Sequence, residues 1–289
     1  MSSMKIAIVK TSALGDIIHA SFVPMLLKKH MPDIQIDWVV TQDLAEVLDD
    51  HPYIDNIIKL PYRSQALTWP TLKGLWQFAK KSHQNYDYIF DLQSLLKSAL
   101  ISFLLPGKTV GFTAQGCREK LASISYNNKH NIAYSDNIFK RNLYLFKEHF
   151  AIDLEKHKNT ASTTKHLFYA ESAYEQIQNF LIPNKKNILL IPGASTMKKV
   201  YSCARYAKLI DTTATKSHHF IIAWGNSKER KLALEIEKQC QHYKPMILPR
   251  RLEYNHLKAL IDNVDLVIGS DTGPVHMAWA LNTASIVLF

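Results

Sequence analysis

Cysteine is scarce: Cys117, Cys203 and Cys240 are odd in number and far apart, which suggests neither a disulfide framework nor a paired-cysteine metal site. A reducing compartment is the expectation. Long apolar runs are missing too. None reaches the about 18 residues of a membrane-spanning helix, and the short run from Ile6 to Val9 is no signal-peptide core. A cytosolic protein touching membrane only at its surface is therefore expected. With nine glycines and eleven prolines, no low-complexity tract and no internal repeat, linker-rich and solenoid architectures drop out. Neither a Walker loop nor GxGxxG occurs, which removes the usual support for ATPase and dinucleotide readings. Acidic residues are in deficit, 25 against 35 basic ones for a formal charge of +10. An anionic partner is implied, and the absence of a nucleic-acid recognition motif argues against nucleic acid.

What is present suits packed domains: 289 residues, 47% hydrophobic and 21% charged, enough for one large core or two ordinary ones. Short β-branched runs at 5–9, 35–40, 57–60 and 88–91 predict strands. Helical spacing at 17–27, 71–82 and 136–150 fills the intervals and closes a first half. Residues 153–165 are polar and aperiodic, and the alternation restarts with strands at 187–191, 220–224 and 266–269 and helices from 204, 228 and 274. The expectation is α/β, two doubly wound parallel-sheet domains in tandem, 1–155 and 156–289. The apolar run 284–289 reads as another buried strand, followed in a complete domain by a further loop and helix.

Four strand-end loops carry candidate chemistry, since ligands of open α/β sheets sit at the carboxyl ends of strands. In Thr11-Ser12-Ala13-Leu14-Gly15-Asp16, Gly15 permits close approach, and Asp16 either accepts a proton from a hydroxyl or simply caps the helix. Pro192-Gly193-Ala194-Ser195-Thr196-Met197-Lys198-Lys199 offers hydroxyls, amides and ammoniums suited to a diphosphate, or is a plain polar turn. Trp224-Gly225-Asn226 leads to Glu229, which either holds sugar hydroxyls or complements a helix dipole. Gly269-Ser270-Asp271-Thr272-Gly273-Pro274-Val275-His276 brings Asp271, Thr272 and His276 to another strand end. A single Asp-Thr-Gly leading into a helix does not make an aspartic protease, which needs two aspartates and a β-rich fold. Residues 95–147 hold eight basic residues against two acidic ones, +6 of the total; a solvated basic face explains that as well as a binding surface does.

Taken in order, these four motifs resemble those of the bacterial ADP-heptose:lipopolysaccharide heptosyltransferases. The Ser12-Ala13-Leu14-Gly15-Asp16-Ile17-Ile18-His19 form is similar to the members that add the first heptose rather than the second. The resemblance implies two Rossmann-like domains facing across a cleft, with acceptor bound by the first and nucleotide sugar by the second, the C-terminal domain being incomplete. It further implies ADP-heptose as donor and Kdo-lipid A as acceptor, with no cofactor or metal required, and a peripheral position on the cytoplasmic face of the inner membrane. Asp16 becomes the general base on a Kdo hydroxyl, and Lys199, with Lys198 as its rival, the diphosphate contact. Ser195, Thr196 and Glu229 bind the nucleotide, Asp271, Thr272, Gly273 and His276 shape the donor pocket, and Ser12, Gly15, Arg118 and Lys120 serve the acceptor. The chain departs from the family's usual Lys-x-Trp-Pro with Lys199-Val200-Tyr201-Ser202. A second heptosyltransferase, another member with a different acceptor, a nucleotide-sugar epimerase and a binding protein without turnover are the competing readings.

Overall fold

A computed structural model describes residues 3–60, 85–153, 164–194 and 200–289. The chain forms two compact units, Met1–Ala161 and Ser162–Phe289. The helix expected at 71–82 lies outside the described residues, as does most of the polar stretch at 153–165.

The first unit is built on a parallel sheet of β1 (Lys5–Val9), β2 (Gln35–Thr41), β3 (Asn56–Leu60), β4 (Tyr88–Asp91), β5 (Lys108–Phe112) and β6 (Asn128–His130), in the order β3-β2-β1-β4-β5-β6. Ile6, Ala7, Ile8 and Val9 are all fully buried, as strands covered on both faces must be. The helices are α1 (Leu14–Ile18), α2 (Val23–His30), α3 (Leu96–Leu104) and α4 (Ile138–Phe150). The single apolar helix expected at 17–27 is two: α1 ends at Ile18, and Pro24 in the first turn of α2 fits a helix start, where no N–H is needed. Asp37, in the middle of β2 and fully buried, keeps its charge matched by Lys5 Nζ at 3.2 Å and hydrogen bonds from Tyr86 Oη and Asn56 Nδ2.

Charge patterning also shapes the back of this sheet. His130 Nε2 and His149 Nδ1 lie 3.3 Å apart, and the His149 ring meets Tyr88, Phe90 and Phe150 edge-on at 4.4, 5.2 and 5.1 Å. Burial first, and the neighbouring His130 second, push the His149 imidazole down to about 4 from 6.5. Below about pH 6.5 the unfolded chain takes up a proton that the folded chain refuses, so stability falls as pH drops towards about 4. The denaturant midpoint is expected to decrease between about pH 7 and about pH 5, and His149→Phe to flatten that slope. An equal slope in the variant would assign the acid sensitivity elsewhere.

The second unit repeats the plan with β7 (Lys186–Ile191), β8 (His218–Ile222), β9 (Met246–Ile247), β10 (Leu266–Ser270) and β11 (Ser285–Leu288), all parallel, ordered β11-β10-β7-β8-β9. Its helices are α5 (Glu171–Ile177), α6 (Cys203–Thr213), α7 (Ser227–Gln239), α8 (Tyr254–Asp262) and α9 (Gly273–Ala280). Ile188, Leu190, Phe220 and Ile222 pack with Tyr206, Ile210, Ala233 and Ile236 into its core. A Cβ on Gly269 would stand 2.8 Å from the Ile191 carbonyl and from a Val275 methyl, so glycine is what lets β10, β7 and α9 close up. The strand expected to be buried at 284–289 forms, but at the sheet edge. Only β10 flanks it among the described residues, and Ile286 is 47% exposed.

Candidate active site

In each unit the strand order reverses beside its first strand, between β1 and β4 and between β7 and β10. Two loops diverge at such a point and leave a crevice at the carboxyl ends of the strands. The loop of residues 10–13 leaves β1 there and runs into α1, the loop of residues 92–95 leaves β4, and with Asp16, Arg118, Tyr134, Ile138 and Arg141 they enclose a cavity of about 200 Å³.

Gln93 joins the two loops. Its Oε1 accepts from the Thr11 N–H at 2.8 Å and the Thr11 hydroxyl at 2.7 Å, and its Nε2 donates to Ser12 Oγ at 3.0 Å. Asp91 holds the second loop from below. Its carboxylate accepts from the Gln93 and Ser94 amides at 2.8 and 3.0 Å, from Ser98 Oγ at 2.8 Å and from Tyr126 Oη at 2.7 Å. Burial raises the Asp91 carboxyl, with these hydrogen bonds pulling the other way.

Asp16 lies in the first turn of α1 and lines the cavity. Its Oδ2 receives the Ala13 N–H at 3.4 Å, a long bond that caps the turn weakly and leaves the carboxylate facing the cavity. Three cations share that cavity. Lys10, 2% exposed, donates to the Leu92 carbonyl at 2.8 Å; burial lowers its ammonium, and Asp16 and Asp91 counter the effect. Arg141, 4% exposed, is stacked between the Phe112 and Tyr134 rings at 4.7 and 4.6 Å and donates to the carbonyls of Tyr134 and Gly116. Arg118 is exposed at the rim, its backbone N–H held by Ser94 Oγ at 3.2 Å. An ammonium and two guanidiniums around one carboxylate form a site for an anionic molecule that also offers a hydroxyl to a base.

Ser12, Asp16 and Arg118 are thus brought together. Lys120 opens a 3-10 turn, Lys120–Ser125, and Gly15 lies within α1; neither is part of the cavity wall. Lys10, Gln93, Tyr134 and Arg141 escaped the sequence reading. Lys10 and Gln93 could have been flagged as polar residues at strand ends, whereas Arg141 is one of eight basic residues in the segment 95–147 with nothing local to single it out.

In the second unit the loops after β7 and β10 flank the switch point, and the loop after β8 lies next to it. Asn226 caps α7 by accepting from the Lys228 and Glu229 amides. Glu229 turns back to accept from the Gly225 N–H at 2.6 Å and from Asn226 Nδ2 at 2.8 Å. It lies against Gly193: a Cβ there would sit 2.4 Å from the Glu229 carboxyl carbon. The Pro192-Gly193-Ala194 turn and Glu229 are therefore one surface. Across the switch point, Asp271 Oδ1 is 3.3 Å from His276 Nε2, with Thr272 and Gly273 beginning α9 between them. Ser195, Thr196, Lys198 and Lys199 lie outside the described residues. Among the described residues no group of three or more His, Cys, Asp or Glu could hold a metal ion, and no helix is long and apolar enough to cross a membrane.

The description of glycosyltransferase family 9 (heptosyltransferase) matches residues 75–289. The chain belongs to this family. It is 33% identical, over 99% of its length and 84% of the relative's, to lipopolysaccharide heptosyltransferase 1 of Campylobacter coli. The enzyme of the same name from Salmonella typhimurium is 25% identical over 99% and 88% of the two chains. Among solved structures, the Escherichia coli heptosyltransferase WaaC with ADP-2-deoxy-2-fluoro heptose matches with a TM-score of 0.82 and 24% identity, covering 98% of this chain and 88% of that one. The family assignment makes this chain a glycosyltransferase, and the two parallel sheets are the family's fold.

The contact between Gly193 and Glu229 gives this glycosyltransferase a specific test. Because a methyl at position 193 meets a side chain that can swing aside, Gly193→Ala is expected to leave the unfolding midpoint nearly unchanged. If Glu229 holds a nucleotide, its displacement weakens ADP binding about tenfold, corresponding to about 1.4 kcal/mol. Calorimetric titration with ADP reads the effect; a large loss of stability with affinity intact would contradict it.

Proposed function

We propose that this chain moves L-glycero-D-manno-heptose from ADP-heptose, with inversion, onto a Kdo hydroxyl of Kdo-lipid A, in building the inner core of lipopolysaccharide. The observation that carries the reading is the cavity of the first unit, where Asp16 shares a wall with Lys10, Arg118 and Arg141. Kdo presents both a carboxylate for the cations and a hydroxyl for the base.

The acceptor hydroxyl oxygen attacks the anomeric carbon of heptose, the bond from that carbon to the diphosphate oxygen breaks, and ADP leaves with the electron pair. Asp16 takes the hydroxyl proton. Negative charge gathers on the leaving diphosphate, and Lys199, with the hydroxyls of Ser195 and Thr196, neutralises it. Glu229 holds the ribose, and Asp271, Thr272, Gly273 and His276 form the wall of the donor pocket. Ser12 and Gly15 shape the acceptor loop, Arg118 meets the Kdo carboxylate and Lys120 a lipid A phosphate. The enzyme works as a peripheral protein at the cytoplasmic face of the inner membrane, where its acceptor is found.

ADP release from ADP-heptose, followed with and without Kdo-lipid A, tests this reading. Release that depends on Kdo-lipid A supports it. Conversion of donor without acceptor, or turnover only with an acceptor already carrying heptose, would sink it.

A further inference from the structure

The outer side of the first unit carries large apolar side chains in contact with water. Leu96, Phe103, Leu121 and Ile124 are 49, 67, 64 and 74% exposed. They are not scattered. Leu96 and Phe103, with half-buried Leu100 between them, follow i, i+4, i+7 spacing along α3, while Ser98, Ala99, Ile101 and Ser102 face the core. Leu121 and Ile124 are three residues apart on the 3-10 turn Lys120–Ser125, where that spacing returns to the same side, and Ala122 and Ser123 face inward. The turn packs against α3.

Bases outnumber acids in the segment that forms this face, and Lys97 also feels Asp43 from outside it. Residues 92–135 contain Lys97, Lys108, Arg118, Lys120 and Lys129 and a single acid, Glu119, whose carboxylate accepts the Leu96 N–H. The face also begins at the cavity. Leu95 and Arg118 line it, α3 starts at the next residue after Leu95, and the Glu119 N–H bonds to the Ser94 carbonyl. From Leu96 to Phe103 the helix runs about 10 Å away from that mouth.

From the shared outward side of these two elements and the cations around it, we propose that the face formed by α3 and the 3-10 turn docks on an anionic lipid bilayer and presents the Asp16 cavity to an acceptor embedded there. This rests on the acceptor assignment above and names the surface that serves it. Water-exposed Phe, Leu and Ile gain by entering the acyl boundary, and the flanking ammoniums and guanidinium gain from anionic headgroups. The excess of bases within residues 92–135, five against the single acid Glu119, favours anionic headgroups over a basic or neutral protein partner.

The full chain is expected to sediment with vesicles of phosphatidylcholine and phosphatidylglycerol, more weakly with phosphatidylcholine alone, and less as salt is added. The variant Phe103→Ser/Leu121→Ser/Ile124→Ser changes exposed side chains only and is expected to bind the anionic vesicles at least about tenfold less. It is expected to lose turnover on vesicle-embedded Kdo-lipid A while keeping wild-type turnover on a deacylated, water-soluble Kdo acceptor. Wild-type binding by the variant, or no vesicle binding by the wild type, overturns the proposal. So does a variant that binds vesicles normally but no longer self-associates in the ultracentrifuge, which would make the face an interface between two copies. If neither form turns over the water-soluble acceptor, the acceptor assignment fails on its own, and the sedimentation result still decides the docking face.

Discussion

Asp16→Ala is expected to reduce acceptor-dependent ADP release by roughly a hundredfold to ten-thousandfold, the range for removing a general base, with ADP affinity unchanged. Asp16→Asn is expected to do nearly the same. The amide can still receive the weak bond from the Ala13 N–H but cannot take a proton. The pair of variants separates the two roles open to this residue. A bond of 3.4 Å from the Ala13 N–H contributes little, and an Asn side-chain oxygen accepts it as Asp does, so loss of stability in Ala, with full turnover in Asn, would assign Asp16 to the helix and remove it from the chemistry.

The second large effect is on folding. Asp91→Ala is expected to lower the unfolding free energy by about 3 kcal/mol or more, since it strands donors from Gln93, Ser94, Ser98 and Tyr126 in a buried site. Asp91→Asn keeps acceptor capacity on one atom and is expected to lose less. Chemical denaturation reads both. In the folded fraction the Gln93 loop is released, so Kdo-lipid A turnover is expected to fall along with stability. An alanine variant as stable as the wild type would show that water replaces the carboxylate without cost.

How much of this was legible beforehand follows from the distance over which each feature is written. The candidate motifs around Asp16, Glu229 and Asp271 could be read because each is a local event: an apolar strand, a turn of small and polar residues, and a helix start. The strand alternation likewise exposed two parallel sheets. Gln93 and Lys10 could be flagged only as polar residues at strand ends, not given a role, because the partners that give them meaning are 82 residues away in each case. Arg141 is one of eight basic residues in the segment 95–147, and nothing local signals that Phe112 and Tyr134 enclose its guanidinium. Strand β5 contains lysine, threonine and glycine and β6 is three residues long, too little apolar pattern to stand out. The helix break before Pro24 was written in the sequence, but the continuous apolar spacing across it masked the signal.

The bonds that position Thr11, Ser12 and Gln93, and those of Asp91 beneath them, all run inside the first unit, just as those of Glu229 run inside the second. Among the described residues, each half thus carries its own scaffolding. If donor and acceptor are divided between the halves as proposed, evolution can treat their choice as separate inheritances: a gene that exchanged its second half would gain a new nucleotide sugar while keeping the geometry around Asp16.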